Sequence, residues 1–237
     1  MSKKLFFTAV AVLAFTAAAQ AQNLQTFWDF GRNHPTTTFE MFKADEFGDT
    51  FWFIDHDYVT ADQRKPTADY PNGAASAFNG TYFEIERGIN FWQDSALKDL
   101  SGHLEYDGSS WGAGIFCVGA KYFLHNADFS NTLSLYLMYD YHIGVGSADI
   151  PIKFSWVWGM SDLFGLKGLT FKGFGDIWGN NGPYGNFSVL CEPQLWMNLG
   201  SLFANHLDIG TEIELSYNFA GYDGFKCNPC AGLRWTF

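Results

Sequence analysis

Beyond residue 22 the chain never runs 18 apolar residues in succession, so it holds no helix able to cross a bilayer. Helical periodicity is nearly absent throughout. Basic residues are few: 14 Lys+Arg stand against 25 Asp+Glu, for a formal net charge of −11. A chain this acidic is a poor partner for nucleic acid or an anionic membrane surface. Cysteine is sparse, at Cys117, Cys191, Cys227 and Cys230. The last two form a CxxC pair, a spacing that often signals metal or redox chemistry. On an extended strand, however, they would lie about 10 Å apart at about 3.3 Å per residue, beyond disulfide reach near 7 Å. No second CxxC and no nearby histidine completes a zinc site, so neither a metal ligand nor a cofactor is expected.

Residues 1–21 read as a secretory signal peptide. Lys3 and Lys4 form a positive n-region, Leu5 to Phe15 an apolar stretch, and Ala19-Gln20-Ala21 a small-x-small cleavage site. The apolar stretch is too short for a membrane anchor, which needs about 20 residues. The expected mature chain is 22–237, a single domain without repeat or linker, and it is more acidic still because two lysines leave with the peptide.

What the chain does have is aromatics and glycine: 25 Phe, 9 Trp, 11 Tyr and 25 Gly, with only 16% of residues charged. One soluble core could not hide so many rings. The C-terminal run FKCNPCAGLRWTF shows where they go. Phe225, Cys227, Pro229, Ala231, Leu233, Trp235 and Phe237 share one face of a strand; Lys226, Asn228, Cys230, Gly232, Arg234 and Thr236 share the other. That alternation suits a tilted strand crossing a bilayer, about 9–11 residues long. Leu207 to Phe219 alternates the same way, with Asp208, Gly210, Glu212, Glu214 and Ser216 opposing Leu207, Ile209, Ile213, Leu215 and Tyr217.

Period-two runs bounded by turn residues predict twelve strands, near 24–32, 36–45, 50–59, 79–92, 101–107, 111–124, 132–144, 151–162, 168–179, 187–199, 207–219 and 225–237. The fold expected is all-β: a single antiparallel up-and-down transmembrane β-barrel of about 12 strands, its greasy face toward lipid. An even strand number puts both termini on one side, so odd-numbered connections are external. The longest, Thr60 to Phe78, and the Asn180 to Asn186 loop fall there, whereas Glu46 to Asp49 is a tight periplasmic turn.

Twelve closed strands imply an interior wider than a filled eight-stranded barrel and narrower than a sixteen-stranded porin. By parity its lining includes Asp55, Asp57, Glu84, Glu86, Glu105, Asp140, Asp176, Glu192, Glu212 and Glu214, opposed by Lys153, Lys172 and Arg234. Tyr82, Tyr136, Phe174, Trp178 and Trp196 lie on the same faces. Rings there either fill volume or stack on a solute. Stacking on a nucleobase contributes about 1–3 kcal/mol, and carboxylates accept hydrogen bonds from ribose hydroxyls or exocyclic amines. The excess of acid disfavours phosphorylated solutes.

The run TTTFEMFKADEFGDTFWFIDHDYV (Thr36 to Val59), followed by YFEIERGINF (Tyr82 to Phe91) and FKGFGDIWG (Phe171 to Gly179), resembles the nucleoside-specific outer-membrane channel family (Tsx-like), in its Bacteroides-type branch. The resemblance covers the mature chain in order, through short motifs. It implies a monomeric twelve-stranded barrel in the outer membrane of a Gram-negative cell, passing nucleosides and deoxynucleosides by diffusion. The terminal Trp235 to Phe237 is similar to the signal read by the barrel-assembly machinery. Partners expected are thus a small solute, outer-membrane lipid and that machinery.

Two alternatives have distinct signatures. An outer-membrane barrel enzyme, lipase- or acyltransferase-like, needs nucleophile, base and carboxylate in mutual reach. Asp140, His142 and Ser134 share one face, but Ser134 stands eight residues, about 26 Å, from the histidine along the strand. A soluble periplasmic β-sandwich would have to bury the aromatic faces against one another.

Overall fold

The computed structural model describes residues 22–60, 78–110, 112, 114–182 and 185–237. The signal-peptide reading of 1–21 and most of the long Thr60 to Phe78 connection lie outside the described residues. Twelve antiparallel strands close on themselves: β1 (Gln22–Asp29), β2 (His34–Asp45), β3 (Gly48–Tyr58), β4 (Phe78–Ile89), β5 (Leu100–Ser109), β6 (Ile115–His125), β7 (Asn131–His142), β8 (Ile152–Met160), β9 (Leu169–Gly179), β10 (Phe187–Asn198), β11 (Leu207–Tyr217) and β12 (Phe225–Thr236). Each strand pairs with its sequence neighbours, and β1 closes the ring on β12 from Asn23 opposite Thr236 to Asp29 opposite Cys230. No strand edge is left open, which is what lipid demands of a spanning sheet.

The faces are inverted relative to a soluble protein. Phe83, Ile85, Leu104, Phe116, Val118, Leu137, Ile152, Phe154, Ile177, Leu195, Ile209 and Leu233 are exposed on the outer face. Gln25, Asp29, His103, Glu105, Asp107, Asp140, Lys153, Asp176, Asp208 and Glu214 are buried inside. The soluble sandwich is excluded, since its greasy faces would meet. Outward rings gather toward the two rims: Trp28, Tyr141 and Tyr217 at the end carrying the odd-numbered connections, Tyr122, Trp235 and Phe237 at the end carrying the termini. Such girdles belong at membrane–water interfaces. Arg87 and Asp45, on the outer face near the same end as the termini, pair at 2.8 Å.

Two glycine positions are required by close approach. Gly48 opens β3 at φ 138, and a Cβ there would stand 2.1 Å from the carbonyl oxygen of Gly88. The hairpin from β2 can therefore turn at Glu46 and Phe47 alone. On the outer face Trp158 and Trp156 pair with Gly173 and Gly175, and their indoles occupy the space a side chain would take, 2.6 and 2.1 Å from an added Cβ.

The strands differ from the predicted spans mainly at their ends. β1 stops at Asp29 rather than 32 because Asn33 adopts a left-handed φ of 59 to turn the chain. β6 begins at Ile115, not 111, after a glycine-containing connection. Connections at the end carrying the termini are not uniformly short: Asn90 to Asp99 spans the gap between β4 and β5, tied down by Asn90 Nδ2 donating to the Lys98 carbonyl at 2.6 Å and Trp92 Nε1 to the Leu100 carbonyl at 2.8 Å. Cys227 is exposed on the outer face and Cys230 buried on the inner one, both free, as the extended spacing requires.

Candidate functional site

Parity places every predicted lining residue inside: Asp55 and Asp57 on β3, Tyr82, Glu84 and Glu86 on β4, Asp140 on β7, Lys172, Phe174, Asp176 and Trp178 on β9, Glu192 and Trp196 on β10, Glu212 and Glu214 on β11. They are not equivalent there. The wall from β5 to β8 is packed. Lys153 Nζ donates to Glu105 Oε1 at 2.5 Å and lies 3.8 Å from Asp107 and 3.7 Å from Asp176. Lys121 pairs with Asp49 at 2.6 Å, and the Tyr136 ring closes edge-on over His103 at 4.7 Å. Asp140 and His142 approach to 3.7 Å.

A second packed wall runs from β10 through β12 and β1. Trp196 is fully buried, with Phe27 at 5.6 Å, the Arg234 guanidinium 4.7 Å from its ring centre, and its Nε1 donating to Gln194 at 2.9 Å. Arg234 in turn pairs with Asp208 at 3.0 Å. Trp196 braces the wall and has no accessible surface left to offer a solute.

Between these walls, β2 to β4 face β9 to β11. Phe51, Phe53, Asp55, Asp57, Tyr82, Glu84, Glu86, Lys172, Phe174, Trp178, Glu192 and Glu212 are half-exposed there, and inward side chains can only be exposed to lumenal space. Tyr82 donates to Glu84 at 3.0 Å with its ring 5.6 Å from Phe53. Asp57 accepts from Thr36 at 2.7 Å. Glu212 accepts from Gln194, and Glu192 lies within electrostatic reach of Glu212, Glu214 and Asp55 across the lumen. Trp178 is held edge-on by Phe219 at 5.7 Å.

The space between the two walls is thus narrowed to a crevice. The reason is that long charged side chains cross it. Lys172 on β9 reaches Glu40 on β2 at 3.2 Å, with Asn23 and Gln25 also donating to Glu40 at 2.9 and 3.1 Å. At the opposite end Arg32, in the β1–β2 connection, pairs with Asp29 at 2.8 Å and with Glu214. Each bridge gives its acids a cationic partner, whereas Asp55, Glu192 and Glu212 between the bridges pair with no cation among the described residues. The crevice therefore attracts cations and polar groups that donate hydrogen bonds.

A sequence family described as "Domain of unknown function (DUF5020)" matches residues 21–237. The chain belongs to that family. No curated protein sequence matches it. Among solved structures, this DUF5020 protein is similar to the NanC porin, with TM-score 0.56, 9% identity, and coverage of 92% of this chain and 100% of that one. It is also similar to outer membrane phospholipase A from Escherichia coli, with TM-score 0.53, 9% identity, and coverage of 91% and 96%. At such identity the likeness shows the fold alone: the closed antiparallel barrel is built like those of a porin and an outer-membrane phospholipase.

Several lumen residues of the DUF5020 barrel escape the sequence reading of the site. Asp49, Asp107, His103 and Lys121 share the parity of predicted neighbours and meet them inside. Extending the alternation of β5 by one step either side of Glu105 finds His103 and Asp107, and three steps back from Asp55 finds Asp49, whereas Lys121 lies on β6, where no lining residue was read. Glu40, the acceptor of the central bridge, was hidden in a strand where Thr and aromatics blur the two faces.

Proposed function

We propose that this protein is an outer-membrane channel for the diffusion of small neutral or cationic solutes, nucleosides foremost. The observation that carries the reading is the half-exposed crevice in which Tyr82, Phe53, Phe174 and Trp178 stand among Asp55, Glu84, Glu192 and Glu212. A flat base entering it would gain stacking of about 1–3 kcal/mol. Its sugar hydroxyls would donate to the carboxylates. A phosphate would meet like charge in a confined space and be turned away. The structural likeness to a porin supports passage as the general role, and the early acidic-aromatic motifs, similar to the Tsx-like channels, support the nucleoside choice. The working unit in this reading is a monomer without cofactor, inserted through its terminal Trp235 to Phe237 strand.

Catalysis has less support. A phospholipase shares the fold, and Asp140 and His142 are adjacent, but no serine hydrogen-bonds to His142 among the described residues, so the pair has no nucleophile beside it. The channel reading is tested in liposomes carrying the purified protein. Adenosine and thymidine enter faster than AMP and faster than a sugar of similar size. Uptake ordered by size alone would refute nucleoside selectivity, and uptake no faster than in empty liposomes would refute the channel.

A further inference from the structure

Strands β4 and β5 set like charges directly opposite one another on the lumenal face, twice in succession: Glu84 opposite Asp107, and Glu86 opposite Glu105. Such pairs destabilise a sheet unless something positive lies between them. Lys153 serves Glu105 Oε1 and approaches Asp107. It leaves the other oxygen of Glu105 and the whole of Glu86 without a lysine or arginine partner among the described residues. What stands there instead is His103, on β5 two residues before Glu105. Its side chain is fully buried, and its Nε2 lies 3.4 Å from Glu86 Oε2 and 3.5 Å from Glu105 Oε2. Neither ring nitrogen makes a hydrogen bond to any described group.

We infer that Glu86, His103 and Glu105 form a binding site for a divalent transition-metal cation, with Zn²⁺ the best fit. One nitrogen and two oxygens converge within 4.8 Å of one another. Tetrahedral bonds of about 2.0–2.1 Å put ligand atoms about 3.3–3.4 Å apart, close to the 3.4 and 3.5 Å found here. Neither contact makes a hydrogen bond, and both lie beyond the usual range of about 2.7–3.2 Å, yet they suit a small cation seated between the three atoms. Charge agrees. Glu84, Glu86, Glu105, Asp107 and Asp176 gather around Lys153, and the second lysine within reach of Glu86, Lys121, is already paired with Asp49, so a dication reduces a local excess of acid rather than creating an excess of positive charge. The imidazole and carboxylates select a borderline cation over calcium, which prefers six to eight oxygens. The Tyr136 ring over His103 fixes the imidazole plane. A bound ion would tie β4 to β5 from within the lumen and form one fixed edge of the crevice at Glu86.

The site stands independently of what the crevice passes. The test uses the full mature chain folded in detergent, stripped with EDTA and checked by heat-modifiable migration. Titration with Zn²⁺ followed by elemental analysis should find one tightly held equivalent, and Co²⁺ as a spectroscopic probe should give intense visible bands of a low-coordinate site. His103→Ala should weaken binding by about 100-fold or more, since loss of even an outer-shell partner costs about 10–100-fold. Glu86→Gln should weaken it as well, while Cys117→Ser should leave it unchanged. Wild-type protein that retains no Zn²⁺ overturns the assignment without reference to any variant. Equal binding by folded His103→Ala, or loss of binding in Cys117→Ser, overturns the choice of ligands.

Discussion

Replacing Lys153 with methionine isolates the interior charge network from the barrel that carries it. Lys153 arrives from β8 with its ammonium 2.5 Å from Glu105 and within 4 Å of Asp107 and Asp176, and the side chains of Lys153 and Glu105 are 10% and 4% exposed. Methionine keeps the packing of the stem and removes the charge. Breaking a buried pair from one side costs about 3–5 kcal/mol, because the partners remain buried and uncompensated. Here the neighbouring crevice admits water, so the low end, about 3 kcal/mol, is expected. Equilibrium unfolding in urea, read by tryptophan fluorescence in detergent micelles at neutral pH, should show that loss. Glu105→Gln added to Lys153→Met should restore part of it, with a coupling of about 1–3 kcal/mol between the two sites. If Lys153→Met unfolds within about 0.5 kcal/mol of the parent, the range of an ordinary surface change, the network contributes nothing to stability. Strictly additive single and double variants would show that Lys153 and Glu105 do not meet.

Further outcomes follow from the same faces and bridges. Leu215→Arg puts a charge on the lipid side and should lower folding yield, at a cost of about 2–4 kcal/mol near the midplane, measured by heat-modifiable migration; normal folding would reverse the face assignment. Glu212→Gln with Glu214→Gln should reduce cation preference in planar-bilayer conductance, and unchanged reversal potentials would put both outside the conducting path. Lys172→Ala removes the central crossbar to Glu40, 3.2 Å long, so single-channel conductance and cation preference should both rise; a fall or no change would mean that solute does not pass this bridge. Gly48→Ala forces a side chain into φ 138 against the Gly88 carbonyl, and should destabilise the β2–β3 hairpin by about 1–3 kcal/mol in the same urea assay.

Strand number, face and most boundaries were legible because lipid and lumen impose opposite chemistry on alternate residues. Along β11, Ile209, Leu215 and Tyr217 keep one parity while Asp208, Glu214 and Ser216 keep the other, so the two faces separate without ambiguity. What alternation does not encode is the stagger between strands, and stagger decides who meets whom inside. Glu40 and Lys172 are 132 positions apart and lie on strands that do not pair in the barrel. Nothing local announces that they touch, or that Arg32 in a connection folds inward onto Glu214. Trp196 shows the same limit. Its parity was clear, but its burial depends on Phe27 and Arg234 arriving from strands at the far ends of the sequence.

The seam between β1 and β12 sets the order in which this molecule can be built. The amide of Phe237 donates to the carbonyl of Gln22 at 3.0 Å, so the far end of β12 fastens onto the start of β1. Until that zipper shuts, Arg32 cannot reach Glu214 nor Phe27 cover Trp196, and the polar interior is open along its whole height to whatever lies alongside. Insertion into hydrocarbon must therefore be simultaneous with closure or escorted up to it. A chain truncated within β12 should stall as an open sheet rather than mature as a slightly smaller pore.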